Sequence, residues 1–205
     1  MNHQKDVTFP ALTPARLTGA EAVHCSGQKL PLTVLDFWQW SVSDLLSNLT
    51  RGRLAEFLVA HALGIDVRAG VRNEWDAFDL TTPSGVKVEV KSSAYLQSWH
   101  QRRLSTVGWR LGPTRGWEAS TNVFSPDAQW QADVYVLALF EQQEKAGVDP
   151  LDVTRWRFFV VPVRLLRERA HKQFLALRAV KALVGSGIGY DSIARAVEEV
   201  STIGT

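Results

Sequence analysis

The sequence predicts an α/β domain in which helices flank a mixed β-sheet. Three features of the chain favour this class. A long helical pattern comes first, several strand patterns follow it, and two short helical patterns close the chain. One strand pattern is a continuous apolar run, which suits a strand that is buried on both faces. A helix followed by several strands and terminal helices is typical of a domain built around one sheet.

Length and composition favour one domain and exclude several classes of protein. The chain has 205 residues, of which 45% are hydrophobic and 21% charged, as in an ordinary globular domain. Its single cysteine, Cys25, excludes an internal disulfide framework and a multi-cysteine zinc site. No apolar run approaches the roughly 20 residues of a membrane-spanning helix, and no secretory signal is visible. We therefore expect a cytoplasmic protein without membrane contact, with residues 1–33 as a loosely packed N-terminal lead-in and residues 34–205 as a single domain.

The helical pattern covers residues 34–64 and indicates either one helix or two helices that meet near residues 48–52. Asp44 or Ser43 is the expected cap of the first helix and Thr50 that of the second, because short polar side chains accept hydrogen bonds from free N–H groups at a helix end. Gly64 is the expected end of the second helix, since glycine readily adopts the left-handed conformation found there.

A hairpin pattern and further strands follow the helices. Residues 74–96 indicate a strand, a tight turn and a second strand. The run ADVYVLALF, residues 132–140, is apolar enough for a strand buried on both faces. Pro162 places the end of the last strand at an edge, because proline cannot donate to a ladder of hydrogen bonds. The three later strands and two closing helices are expected over residues 104–111, 132–140, 155–163, 172–184 and 191–200.

The segment SGVKVEVKSS, residues 84–93, has the alternation of a strand with one polar face. Lys87, Glu89 and Lys91 fall on that face, because successive side chains of a strand point to opposite sides. Two interpretations follow. The face is simply exposed to solvent, as in many sheets, or Glu89 and Lys91 hold a metal ion and an attacking water. The choice depends on which other side chains reach this face.

The turn TPSG, residues 82–85, brings a second acid to Glu89. Its proline and glycine suit a three-residue hairpin loop closed by a glycine bulge. Counting back from this loop places Asp79 opposite Glu89. Two carboxylates at such a short distance repel each other unless a cation lies between them. The same register sends Asp76 to the other face. A loop longer by one residue would reverse the choice between the two aspartates.

Glu56 is the third candidate acid. Its neighbours at helical spacing are Val59, Ala60 and Leu63, and a carboxylate on such an apolar face is unfavourable to bury without a partner. An ion pair with Arg53, three residues earlier, is the structural alternative. Beside a carboxylate pair that needs a cation, a functional role for Glu56 is favoured.

These residues resemble the motif of the PD-(D/E)XK nuclease superfamily. Asp79 is followed ten residues later by Glu89, Val90 and Lys91 on a second strand, after a helix that carries Glu56. The resemblance covers about residues 43–140 and implies a restriction-endonuclease-like core. One departure from the pattern is that Phe78, and not proline, precedes the first acid.

The resemblance implies hydrolysis of phosphodiester bonds, with DNA as the expected substrate and RNA as an open alternative. Asp79, Glu89 and the backbone carbonyl of Val90 would hold Mg²⁺, or Mn²⁺ in its place, since hard oxygen ligands suit these ions. Glu56 would complete the metal shell or help to hold a second ion. Lys91 would orient or deprotonate the attacking water and offset charge in the transition state. Nucleases of this fold often pair to cut two strands, so a homodimer is compatible with the resemblance.

Residues 92–117 form a basic run that contains no Asp or Glu. Arginines supply phosphate contacts, and the interleaved aromatic residues can stack on bases. Each tryptophan taken singly is more typical of a core, but the run as a whole favours a surface that faces the substrate. Gln97 is near enough in sequence to contact phosphate, although its type is also that of an ordinary loop residue. The candidate nucleic-acid contacts are Arg102, Arg103, Arg110, Arg115 and Gln97.

Two alternatives to a nuclease stay open from the sequence. One is a module on the same fold that binds nucleic acid or a partner and leaves the metal site unused, because a fold does not guarantee an activity. The other is an unrelated α/β protein in which an exposed strand face happens to contain Glu89 and Lys91. Metal binding separates the nuclease from the unrelated protein, and turnover separates it from the binding module.

Overall fold

Helices and strands are interspersed along the chain and give a mixed α/β architecture, as the sequence predicted. The structure is a computed structural model that describes residues 9–118, 120–168 and 174–202. In chain order the helices and strands are β1 (Ala22–Cys25), β2 (Gln28–Thr33), α1 (Val34–Val42), α2 (Asn48–Ala62), β3 (Leu80–Thr81), β4 (Lys87–Ala94), β5 (Gly108–Arg110), β6 (Trp117–Glu118), β7 (Val123–Phe124), β8 (Val134–Phe140), β9 (Trp156–Pro162), α3 (Val163–Arg167), β10 (Phe174–Ala176), α4 (Leu177–Val184) and α5 (Ile193–Thr202).

A four-stranded mixed sheet forms the centre, with the spatial order β3, β4, β8, β9. β4 and β8 run parallel, whereas β3 and β9 are antiparallel to their neighbours. The predicted strand over residues 132–140 is β8, all seven residues of which are buried. β9 lies at one edge of the sheet and ends at Pro162, as predicted.

Apolar side chains cover both faces of this sheet and form two cores. α2 and α5 pack on one face, and β5, β10 and α4 pack on the other. Val88 and Val90 of β4 belong to the core under α2. Because side chains alternate along a strand, Glu89 and Lys91 point to the opposite side. The predicted polar face of β4 is therefore present, and the valines on the other face of β4 pack into the core.

The hairpin of β3 and β4 has the predicted register. Leu80 pairs with Val88, and at the turn the backbone N–H of Thr82 donates to the carbonyl of Val86 at 2.9 Å. Gly85 has a φ of +90°, the positive value that the predicted glycine bulge requires. The loop therefore has the length on which the placement of Asp79 depends.

The second predicted helix is α2, but its first residue differs from the prediction. Ser47 caps it by accepting a hydrogen bond at 3.3 Å from the backbone N–H of Thr50. The expected cap, Thr50, lies inside the helix and is buried. Gly64 follows the helix with a φ of +75°, so its predicted role at the end is confirmed. In the described part of the chain, no helix is both long and apolar enough to cross a membrane.

α1 begins at Val34, the first residue of the predicted helical pattern, but its cap differs from the prediction. Thr33 caps it and Asp36 closes a capping box by accepting from the backbone N–H of Thr33 at 2.7 Å. Ser43 and Asp44 follow the helix, so the prediction that they cap its start is wrong. The lead-in before α1 contains the hairpin of β1 and β2, which the sequence did not predict, and most of its residues are exposed.

The two closing helices are α4 and α5. α4 begins at Leu177, later than the predicted 172, because residues Phe174–Ala176 form β10 and pair with β5. Residues 172 and 173 lie outside the described residues. α5 occupies Ile193–Thr202, close to the predicted 191–200.

Candidate active site

The predicted pair of acids lies where β4 extends past the short strand β3. Asp79 immediately precedes β3, and the pairing of Leu80 with Val88 sets it across from Glu89. One carboxylate oxygen of Asp79 accepts a hydrogen bond at 2.8 Å from the backbone N–H of Val90. The Asp79 side chain thus bonds a backbone group that a longer β3 would have paired, and this bond fixes the carboxylate beside β4.

Asp76, the alternative to Asp79, lies in an irregular segment before the hairpin. It is exposed and accepts a hydrogen bond at 2.7 Å from the amide of Asn73. Together with Asp79 and Glu56 it lines a cleft of about 370 Å³. Since the chain is not a strand at this point, the expected alternation of faces does not extend to Asp76. The register favours Asp79 as the acid that faces Glu89.

Glu89 and Lys91 share the polar face of β4 and form an ion pair. The Glu89 side chain is 16% exposed and that of Lys91 42% exposed. Tyr135 is the residue of β8 that pairs with Glu89, and it lies on the same face. Burial raises the pKa of Tyr135, and the charges of Glu89 and Asp79 raise it further. The phenol is therefore neutral and leaves the acids in place as the negative groups of this face.

Glu56 reaches the site from α2 and pairs with a residue that the sequence did not single out. Its carboxylate accepts a hydrogen bond from the guanidinium of Arg72. A second nitrogen of Arg72 lies 3.7 Å from a carboxylate oxygen of Asp79. Arg53, the ion-pair partner that the alternative interpretation required, pairs with Glu74 instead. The alternative interpretation of Glu56 is therefore wrong about the partner.

The surroundings of two of the acids, Asp79 and Glu56, disfavour their charged forms. Burial raises the pKa of Asp79, and the negative charge of Glu89 raises it further. Burial also raises the pKa of Glu56, against the lowering effect of its hydrogen bond with Arg72. Burial lowers the pKa of Lys91, but the surrounding acids, Glu89 foremost, outweigh burial and raise it. Such a cluster has an excess of negative charge that a cation would neutralise.

The donor groups suit a hard divalent cation by their chemistry. Carboxylate oxygens are the ligands that Mg²⁺ and Mn²⁺ prefer, and the repulsion between Asp79 and Glu89 is relieved when such an ion binds. In the structure, Lys91 forms an ion pair with Glu89, and Arg72 forms one with Glu56. Over residues 9–118, 120–168 and 174–202, no three His, Cys, Asp or Glu side chains are grouped so as to hold a metal. A metal ion that bound Glu56 and Glu89 would have to displace Arg72 and Lys91 from them.

Two clefts give access to the polar face of β4. A cleft of about 470 Å³ is lined by Glu56, Lys91 and Trp75. A smaller one of about 110 Å³ is lined by Glu89, Lys91 and Arg110. Lys91 stands between the two clefts, and Arg110 places a guanidinium at the edge of the site. An anionic substrate would find positive groups at both openings.

A comparison with protein families matches most of the chain. The family model described as bacteriophage T4 endonuclease IV covers residues 34–177. The chain belongs to this family. The matched part of this endonuclease IV family member contains the four sheet strands, α2 and the whole acid cluster. A comparison with curated proteins gave no significant match.

The four arginines predicted to contact nucleic acid have different surroundings in this endonuclease IV family member. Arg110 lines the smaller cleft, whereas Arg102 and Arg103 are exposed in the loop between β4 and β5. The Arg115 side chain donates to the carbonyl of Ser125 at 2.7 Å and lies over an aromatic ring. Of these four arginines, Arg110 is the one that lines a cleft together with Glu89 and Lys91.

Gln97, the fifth predicted nucleic-acid contact, lies inside the protein. It is only 6% exposed, and its side chain donates to Ser105 at 3.2 Å and accepts from Arg51 at 3.3 Å. Arg51 is itself buried and donates to the carbonyl of Leu46 at 2.8 Å. These internal bonds leave no side of Gln97 open to a ligand. We therefore assign Gln97 to the support of the loop and not to its surface.

Sequence reasoning missed three residues around the acids: Arg72, Tyr135 and Trp75. Arg72 and Trp75 lie in the irregular stretch between α2 and β3, where no periodicity indicates a direction for any side chain. Tyr135 was treated only as part of an apolar strand. The parallel pairing of β4 with β8, which places it beside Glu89, left no mark in the sequence pattern.

Proposed function

We propose that the protein is a metal-dependent endonuclease that hydrolyses phosphodiester bonds of DNA. One observation carries this proposal. Asp79 lies across from Glu89 at the end of β3, and Lys91 forms an ion pair with Glu89. Glu56 of α2 is linked to Asp79 through Arg72, so the three acids and the lysine lie at one edge of the sheet. The name of the family matched by the chain, an endonuclease, agrees with that chemistry. The proposal includes a restriction-endonuclease-like core of the PD-(D/E)XK type.

Asp79 and Glu89, with the backbone carbonyl of Val90 and the carboxylate of Glu56, are the groups that would hold Mg²⁺ or Mn²⁺. The ion, when bound, would supply a Lewis acid for the phosphate and lower the pKa of a water. The protein contributes the position of its carboxylates. Asp79 is fixed by the N–H of Val90, and Glu89 by its place on a central strand.

Lys91 acts as a positive group in this proposal. Since the surrounding acids raise its pKa, its amino group is protonated at neutral pH and donates hydrogen bonds. A protonated amine orients a water through the water's oxygen and stabilises negative charge that develops on the phosphate. Lys91 becomes able to accept a proton only when its acidic neighbours are neutralised. Orientation and charge stabilisation are thus its first roles.

A binding module without turnover is the second candidate. The observation that favours it is that Lys91 and Arg72 already neutralise Glu89 and Glu56 in the described structure. Such a module would bind nucleic acid through its arginines and leave the acids as part of the fold. It predicts binding without cleavage.

Cleavage assays with Lys91→Ala test the proposal. Plasmid DNA and short single- and double-stranded DNA are incubated with Mg²⁺ or Mn²⁺, and RNA of the same lengths is included. We expect metal-dependent cleavage by the wild type and a loss of at least about 100-fold in Lys91→Ala, the size expected for a group that acts directly on the reacting atoms. Glu89→Gln should lose activity to a similar degree.

Lys87→Ala is the matched control for this assay. Lys87 lies on the same face of β4 as Lys91, but its ammonium lies 5.4 Å from the ring centre of Phe78 and away from the acids. It should retain activity within about threefold, because an exposed charge contributes little. Cleavage that persists in Lys91→Ala would contradict the assigned site. Binding of DNA without cleavage by the wild type would favour the module.

A further inference from the structure

Trp75 is an exposed tryptophan at the mouth of the larger cleft. Its side chain is 66% exposed, although it lines the same cleft as Lys91 and Glu56. Leu49 of α2, which is 67% exposed, lines the cleft as well. The cleft is thus lined by both apolar and charged side chains. An exposed indole presents a large apolar ring face that a ligand can cover.

A small aromatic cluster holds Trp75 in place. Its ring meets the ring of Trp117 edge to face, with centroids 5.4 Å apart. The ring of Trp117 lies beside that of Phe124 across the short hairpin of β6 and β7, with the two ring centroids 6.3 Å apart. The indole N–H of Trp117 donates to the side chain of Asn122 at 3.1 Å, which fixes the ring within the hairpin.

Arg115 closes this arrangement from the other side. Its guanidinium lies 5.8 Å from the ring centre of Phe124, and its Nε donates to Ser125. The whole row, from Arg115 through Phe124 and Trp117 to Trp75, runs from the basic segment to the cleft. In the hairpin of β6 and β7, Val123 and Phe124 are more than half exposed.

The chemistry of the cleft fits a nucleotide. An exposed indole face stacks on any of the bases, whatever their sequence. The ammonium group of Lys91, which lines the same cleft, attracts the phosphate attached to that base. We propose that Trp75 stacks on the nucleobase beside the phosphodiester bond to be cut, and that Trp117 positions Trp75. This assignment rests on the proposed nuclease function. It adds a base-binding site to the acid cluster and gives Arg115 a supporting role.

Binding of two oligomers tests the proposal in metal-free buffer. One is a fluorescein-labelled oligodeoxythymidylate of ten nucleotides, and the other is an oligomer of ten abasic sites with the same backbone charge. We expect Trp75→Ala to weaken binding of the first by about 5- to 100-fold, the range found for loss of one base stack. Binding of the abasic oligomer should not change, and Trp75→Phe should retain most of the affinity.

Trp40→Ala is the matched control, because Trp40 of α1 is 86% exposed, lies outside the basic run and does not line the cleft. It should leave the affinity for both oligomers unchanged. Trp117→Ala should weaken binding of the thymidylate in the same direction as Trp75→Ala, and melting curves check that each variant folds. Equal effects of Trp75→Ala on both oligomers, or no effect on either, would overturn the base site. If the wild type cleaves DNA while Trp75→Ala binds normally, only this proposal fails. If the wild type cleaves no DNA with Mg²⁺ or Mn²⁺, the proposed function fails, whatever the two oligomers show.

Discussion

Arg72 decides the charge balance of the acid cluster. It donates to Glu56 and lies 3.7 Å from Asp79, so a fixed positive charge stands among the groups proposed as metal ligands. The contacts of Arg72 raise its pKa, with the hydrogen bond to Glu56 as the largest cause. It therefore stays charged at neutral pH. A metal ion must compete with it for the same oxygens.

Replacing Arg72 by glutamine should strengthen metal binding. Without the guanidinium, Glu56 and Asp79 keep their negative charge but lose a resident cation. Two charges about 4 Å apart that are screened by water interact by about 1 kcal/mol, which is a factor of roughly five in affinity. We expect Mn²⁺ to bind Arg72→Gln roughly 3- to 10-fold more tightly than the wild type, measured by isothermal titration calorimetry without substrate.

Arg53→Gln serves as the control, because Arg53 pairs with Glu74 and not with the proposed ligands. Its effect on Mn²⁺ affinity should be small. An unchanged or weaker affinity in Arg72→Gln would mean that Arg72 does not compete with the metal.

Residue by residue, the sequence could identify the acids but not their present partners. Asp79, Glu89 and Lys91 follow from two local rules, the alternation along a strand and the length of a turn. Both rules act within about ten residues, and the structure agrees with them. Arg72 lies sixteen residues from Glu56, and their contact depends on how the irregular segment after α2 crosses that helix. No local rule specifies such a crossing.

At the scale of elements, the hairpin of β3 and β4 has the largest consequence for the site. Its ladder sets Asp79 across from Glu89, and Gly85 closes its loop with a φ of +90°. A Cβ at this position would meet no neighbouring atom within 4 Å, so the requirement for glycine is conformational and not steric crowding. The turn therefore contributes to the site through backbone geometry alone.

Gly85→Ala should lower the stability of the protein by about 1 kcal/mol, because alanine adopts a positive φ unfavourably. The free energy of unfolding is measured by urea denaturation. Gly189→Ala is a suitable comparison, since Gly189 also has open space around it but has a φ of −80°, which alanine adopts freely. That variant should be neutral or slightly more stable. Equal losses in the two variants would show that the φ of Gly85 does not matter.

Elements with a strong local pattern were predictable, and those made by distant pairing were not. β8 and α2 were expected from an apolar run and from helical periodicity, and both are present. β10 pairs with β5, and the paired residues Leu175 and Trp109 are far apart in the chain. Three residues of strand leave too little pattern to compete with the helical signal that follows them.

On the scale of the whole molecule, the acid cluster reduces the stability of the metal-free fold. Burial and the charge of Glu89 raise the pKa of Asp79 above its ordinary value. A group whose pKa is raised on folding favours the folded state while it is protonated. That contribution is present below the ordinary pKa and is lost as the pH rises through the raised pKa.

Asp79→Asn should therefore melt at a higher temperature than the wild type at neutral pH without metal. An asparagine oxygen can still accept from the N–H of Val90, so the hydrogen bond is retained while the charge is removed. The difference should disappear below the ordinary pKa of an aspartate, where the wild-type side chain is protonated as well. Melting curves from pH 3 to pH 8 measure it.

The exposed residue Asp127 provides the control, and Asp127→Asn should leave the melting temperature unchanged across this range. Added Mg²⁺ should raise the melting temperature of the wild type and not that of Asp79→Asn, because a ligand stabilises only the state that binds it. A lower melting temperature of Asp79→Asn at neutral pH would contradict this account.

The hairpin of β3 and β4 also limits how the chain can change in length. Removing or adding one residue between Asp79 and Glu89 would turn one of the two side chains to the far side of the sheet. Removing or adding two residues would preserve the side on which each acid lies. Insertions and deletions in this stretch are therefore compatible with the paired acids only in even steps.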